Sequence, residues 1–290
     1  MGEGPLAGKQ IHVFVNPTGG NDANKGRNAS SAKKSIQAAW DSLPDLVLTT
    51  ATIHLANGTY HEEVKMNGKS VLGKGKIAVV GNVDSPNAVV ITGATDTSRK
   101  NVGLDVDHVE GLSISGVMVD NYARHCLRVT NRSNVEISNC KFFHADENNV
   151  HVVGMVQFKM GNSEIAYNAS EGDSKSLGSG ILIRDGAIAA ISNCNIHGFG
   201  SAGSAGMAIH DYAVVRVENT TVSDVGKGSG YYTVLSHLSF LSPCIVRACN
   251  EGVVADYASC ISWPYSKVNV VNCRVPYNFM KNSTCCDDRH

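Results

Sequence analysis

Two short clusters, Arg184–Asp185 and His210–Asp211–Tyr212, hold the side chains of acid–base chemistry. A histidine beside an aspartate offers a positioned general base, and an arginine offers a charge that neutralises a carboxylate such as that of a uronate sugar. Those are the parts a polysaccharide lyase or epimerase needs. Arg184, His210, Asp211 and Tyr212 are therefore the candidate catalytic residues, with Asp185 a candidate substrate contact. The same residues also suit a plainer role, because alternating charge up an exposed strand face relieves repulsion.

A second group comes from the stretches DNYARH (120–125) and HADENN (144–149). Tyr122, Arg124, His125, His144, Asp146 and Glu147 make a polar, aromatic-bearing rim suited to sugar hydroxyls, with Tyr122, Arg124 and His144 as candidate contacts. Arg128 and His151 on the adjoining segments extend the set. Asp105, Asp107 and His108 bring oxygens that a hard cation such as Ca²⁺ favours. The matching positions on the next two repeats are Arg128 and Thr130, then His151 and Val153, so no cofactor is expected and no metal ligand is assigned.

Nine cysteines are an odd number, so at least one has no partner within the chain. No CxxC pair occurs, and no Cys–His cluster has the spacing of a zinc finger. VEISNC (135–140), AAISNC (189–194) and VNVVNC (268–273) place cysteines in matched settings that look reactive. Read as inward-facing residues, Cys140 and Cys194 are small, buried and inert.

The positions of all these residues follow from a repeat. LSISGV (112–117), VEISNC, FKMGNS (158–163), AAISNC, VRVENT (215–220) and VNVVNC superpose without gaps, at spacings of 23, 23, 31, 26 and 53. The last spacing spans about two repeats, with a degenerate coil around LSFLSPC (238–244). A second strand precedes each copy: GLDVDH (103–108), CLRVTN (126–131), NVHVVG (149–154), GILIRD (180–185), GMAIHD (206–211) and GVVADY (252–257). All alternate apolar with polar residues, the pattern of a strand with one buried face. Stacked, they give two inward columns, Leu104–Leu127–Val150–Ile181–Met207–Val253 and Val106–Val129–Val152–Ile183–Ile209–Ala255. Two outward columns result, Asp105–Arg128–His151 and Asp107–Thr130–Val153–Arg184–His210–Asp256. Asn139, Asn162, Asn193, Asn219 and Asn272 form an expected amide ladder at a bend, where asparagine tolerates left-handed backbone angles.

The expected fold is all-β, a single-stranded parallel β-helix of about eight or more coils. An open solenoid end needs covering, and SSAKKSIQAAWDSLP (30–44) supplies an N-terminal capping helix, with Ser30 or Ser31 at its start and Ile36, Ala39, Trp40 and Leu43 on one face. Residues 1–290 then form one domain: a strand and capping helix over 1–50, coils over 51–275, and a tail or cap over 276–290.

FVNPTGGNDANKG (14–26), that helix and IHLANGTYHEEV (53–64) resemble the N-terminal signature of the pectin-lyase-like β-helix superfamily. The resemblance implies a right-handed solenoid. It covers about 14–275 and is specific for fold, since that superfamily includes polysaccharide lyases, glycoside hydrolases, epimerases, phage tailspikes and non-catalytic surface proteins. The function it favours is binding or processing of a polysaccharide, an acidic one included; the alternative is a non-catalytic structural protein of a surface or virion.

Bulk properties agree. Charged residues are 18% of the chain, and 29 glycines suit turns and stacked strands. A net charge of -1 gives no basic field for nucleic acid, and no apolar run is long enough to enter a membrane. MGEGPLAGKQ lacks the apolar core of a signal peptide. The expected setting is extracellular, surface or virion-associated, with a glycan as partner and a homo-oligomer or assembly partner as the other.

Overall fold

A computed structural model describes residues 10–94, 98–167, 178–200, 203–263 and 268–286. Three parallel sheets run along one axis: sheet A has eleven strands, and sheets B and C have nine each. Each coil visits C, then A, then B, as Val102–Asp107, Leu112–Ser115 and Met118–Tyr122 do. The inward column Leu104, Leu127, Val150, Ile181 and Met207 stacks in register as expected, and all five side chains are fully buried. Burying each such aliphatic side chain contributes about 1.5–3 kcal/mol, so the stack holds the coils together.

Each coil turns three corners, and at most of them a residue takes a positive φ. Between sheets A and B these are Gly116, Asn139, Asn162, Asn193 and Asn219, with φ from 41 to 68°. Asparagine and glycine tolerate this region best. Asn219 Nδ2 donates to Asn193 Oδ1 at 2.7 Å, one rung of the anticipated ladder. Beside them Cys140 and Cys194 are buried, and burial pushes their thiols up to about 12 and about 11. Between C and A, Asp185, Asp211, Leu235 and Tyr257 occupy the same conformation. Between B and C it is taken by Asn121, His144, Gly198, Asp224, Ala248 and Asn272.

Two expectations about the repeat are corrected. Val268–Val271, the strand of VNVVNC, belongs to sheet B, where it pairs with Cys244–Arg247, so Asn272 turns a different corner from the other asparagines. Ser242 takes the next place on their corner, its hydroxyl accepting from Asn219 N–H at 2.7 Å. The second correction is a missed sheet C strand, Ser229–Val234, between the strands of Met207 and Val253. His210 therefore lies opposite Val234, and Asp256 is two coils away from it.

Near the N-terminus the helix is short, Ile36–Asp41, and Ser35 rather than Ser30 or Ser31 is its N-cap, accepting from Ala38 N–H at 3.1 Å. Ile36, Ala39 and Trp40 are buried. Val275–Phe279 and Thr284–Cys286 are the last strands of sheets C and A, continuing the coils through the stretch anticipated as a tail or cap. Residues 168–177 and 287–290 lie outside the described residues.

Candidate functional site

The outer face of sheet C changes character along the axis. Its central column begins with Lys65, Asp105, Arg128 and His151, one per coil. It continues with Leu182, Ala208, Tyr232 and Val254.

In the first part most side chains are bound to one another, while His151 Nε2 is shielded from solvent and has no hydrogen-bond partner among the described residues. Arg128 grips Asp105 with a two-pronged hydrogen bond, Nε to Oδ1 at 2.7 Å and Nη2 to Oδ2 at 2.6 Å, and Asp105 is only 9% exposed. Asp107 Oδ1 accepts from Thr130 Oγ1 and Asn131 Nδ2, each at 2.7 Å. The oxygens suggested for a cation are thus engaged by neighbours. Among the described residues no group of three or more His, Cys, Asp or Glu could hold a metal ion. His151 Nδ1 lies 3.3 Å from His125 Nε2, and burial pushes His151 down to about 4 and His125 below its usual value. Both imidazoles are neutral at pH 7. Arg124 Nε donates to Glu147 Oε1 at 2.9 Å, a bond that holds Glu147 below the usual carboxylate range.

In the second part a pocket of about 340 Å³ opens. Leu182, Ala208 and Ala205 give it apolar surface, Gly178, Ser179 and Gly203 come from the connections, and Glu147, Asn148, His210 and Tyr232 bring polar groups. The strand carrying His210 is held tightly at its start: a Cβ on Gly206 would meet Val222 Cγ1 at 2.3 Å. His210 packs edge-on against Tyr232, ring centroids 5.6 Å apart. Burial lowers its pKa, outweighing the opposite pull of Asp211, so the ring is neutral. Its Nε2 is shielded from solvent and has no hydrogen-bond partner among the described residues. A neutral imidazole with a bare nitrogen can take a proton or receive a hydroxyl hydrogen bond.

The remaining sequence candidates scatter. Arg184 makes contacts with Asp185 at 3.2 Å and Asp211 at 3.5 Å, all three side chains being over 40% exposed. The structure thus brings Arg184, Asp185 and Asp211 together, but as an ion cluster outside the pocket lining. Tyr212 points to solvent, 74% exposed, beyond the corner. Tyr122 is a correction: it is fully buried, with its hydroxyl donating to the Glu62 carbonyl, and cannot form part of a rim. His144 donates from Nδ1 to Asp120 Oδ1 at 2.7 Å on the corner between sheets B and C. Sequence reasoning missed Tyr232, Leu182 and Ala208; an alternation count through SGYYTV (229–234) is the signal that finds Tyr232.

Residues 87–279 match the family described as a right handed beta helix region. The chain belongs to the right-handed β-helix family. No curated protein matches its sequence. Solved β-helix structures do match in shape. Pectate lyase Pel9A has a TM-score of 0.67 at 14% identity, covering 98% of this chain and 78% of that one. An alginate lyase from Paenibacillus sp. str. FPU-7 has a TM-score of 0.56 at 14% identity, covering 94% and 97%. Tailspike protein 2 from Escherichia coli O157:H7 bacteriophage CAB120 has a TM-score of 0.54 at 13% identity, covering 95% of this chain and 42% of that one. At such identities the likeness is one of fold, and the site of this β-helix rests on its own residues. Among the described residues no helix is long and apolar enough to cross a membrane.

Proposed function

We propose that this β-helix binds a polysaccharide along the outer face of sheet C, with one sugar unit seated in the pocket of His210 and Tyr232. The observation that carries this reading is the pocket itself: about 340 Å³, apolar in part, and lined by the imidazole of His210 and the phenol of Tyr232. That size and that mixture of apolar surface with a few polar groups suit a small ring bearing hydroxyls. Arg124, Arg128 and Arg184 are each paired with a carboxylate, which favours a neutral sugar over a uronate at this face. Pectate lyase and alginate lyase among the fold relatives support a polysaccharide as the partner. A glycan array probed with the full chain tests the reading. Binding should appear and be lost in Leu182→Arg, whose long cationic side chain fills the pocket; a folded protein that retains nothing on the array overturns it.

The neutral His210 favours a second reading, lyase or epimerase chemistry, in which Nε2 takes the proton next to a uronate carboxylate. A rise in ultraviolet absorbance on an acidic polysaccharide, absent in His210→Ala, is its signature. Binding with no such rise leaves a binding protein. A structural role in a virion or surface assembly has a tailspike among its fold relatives, and native mass well above 30.7 kDa without glycan binding would favour it.

A further inference from the structure

Five of the cysteines stand at corners, in two arrangements. Cys140, Cys194 and Cys244 line the corner between sheets A and B, but Ser163 lies between the first two and Thr220 between the last two, as the chain of bonds Glu164 N–H to Cys140 O, Asn195 N–H to Ser163 O, Thr221 N–H to Cys194 O and Ile245 N–H to Thr220 O shows. Two coil spacings, about 9–10 Å, are too long for a disulfide. At the corner between sheets B and C the spacing is one coil. Arg247 lies opposite Val271, and beyond the corner Arg274 N–H donates to Cys249 O at 3.3 Å and Arg274 Nε to Asn250 Oδ1 at 2.7 Å. The register therefore carries on, and Cys249 stands opposite Cys273.

Their side chains also point the same way. Cys249 Sγ donates to Arg247 O at 3.3 Å and Cys273 Sγ to Val271 O at 3.7 Å, two carbonyls that are themselves opposite one another. Burial above all, with the nearby Cys273 adding to it, raises the Cys249 thiol. Adjacent coils are about 4.8 Å apart, inside the range of about 4.4–6.8 Å that disulfides span between Cα atoms. Both residues are reduced here, Cys249 buried and Cys273 half-buried.

We propose that Cys249 and Cys273 are a modification site, closing to an inter-coil disulfide when the protein meets a small-molecule disulfide. Cys273 is reached first. Its thiolate attacks one sulfur of the oxidant, forming a mixed disulfide and releasing one small thiolate. Cys249 then loses its proton to solvent, attacks the Cys273 sulfur and expels the second thiolate. One disulfide bond of the oxidant becomes one in the protein, and two protein thiols become two small thiols. Burial pushes Cys249 up to about 12, so it reacts only with a sulfur already delivered beside it. The bond staples the coil of Val268–Val271 to its neighbour near the C-terminal end of the solenoid.

The test is incubation of the full chain with oxidised glutathione, alkylation of the remaining thiols, digestion and mass spectrometry. The expected product is one cross-linked peptide pair joining Cys249 to Cys273, lighter by two hydrogens and reopened by dithiothreitol, while Cys140 and Cys194 stay as thiols. Thermal melting of the oxidised protein should rise by about 5 °C, and Cys273→Ser should remove both effects. In Cys249→Ser the glutathione should remain attached to Cys273. Alkylation of both cysteines after oxidation, persistent glutathione on Cys273 of the unmutated chain, or a cross-link from Cys273 to another cysteine overturns the proposal.

Discussion

The two parts of the outer face of sheet C are built on successive strands of one sheet in one continuous register, yet they use their side chains in opposite ways. Around Asp105, Arg128, His125 and His151 most polar groups meet one another, and a ligand would have to break those bonds to gain its own, although His151 Nε2 has no partner among the described residues. Around Leu182, Ala208, His210 and Tyr232 the surface is concave and partly apolar, and His210 Nε2 has no partner among the described residues. A high density of charged and histidine residues on a β-helix face therefore marks self-satisfied structure as readily as a site. The pocket is the better pointer, because an unpartnered histidine nitrogen occurs in both parts and only that of His210 belongs to a pocket-lining residue.

This contrast breaks most sharply at the pocket. Leu182→Arg should lower glycan affinity by about 100-fold, about 2.7 kcal/mol, with little change in melting temperature, as measured by titration calorimetry beside thermal denaturation. Arg128→Ala should do the reverse, lowering stability by about 2 kcal/mol in urea denaturation because Asp105 is left largely buried without its donor, while glycan affinity per folded molecule holds. Tyr232→Ala should weaken binding by about tenfold, about 1.4 kcal/mol, if its ring forms part of the sugar seat.

A pH experiment sharpens the same comparison. His151 titrates near 4 in the folded chain, against an ordinary 6.5, so between those values the unfolded chain binds more protons. Its contribution to stability is full above pH 6.5 and is lost as the pH falls toward 4. His151→Gln should flatten the stability profile in that window, read by denaturation at a series of pH values. The smallest effect is expected at Asp185→Asn: the Arg184 cluster is exposed, and the change should stay below about 0.5 kcal/mol.

Much of the fold was legible because it rests on a period of two. Inward positions such as Leu127, Val150 and Ile181 could be aligned from apolar alternation alone, and the structure stacks them in that order. The corners were less legible. Asn-Cys after an apolar alternation occurs at two different corners, Asn193–Cys194 and Asn272–Cys273, because both impose the same left-handed backbone, so similar sequence arose from the same local demand in different places. Tyr122 was misjudged for a related reason: Asn121, at φ 63°, resets the alternation, and the residue after it turns inward instead of outward. Of the site, His210 was found because a polar residue at an aligned outward position stands out. Tyr232 was not, because the inward Tyr231 and Thr233 beside it depart from the aliphatic columns.

The central claim is that the pocket half of sheet C, and not its charged half, holds a sugar. Its most direct test is a crystal of the protein soaked with the best oligosaccharide from a glycan array. The prediction is a sugar ring against Leu182, Tyr232 and the His210 ring. A sugar lodged over the Asp105–Arg128 pair with the pocket empty would contradict it.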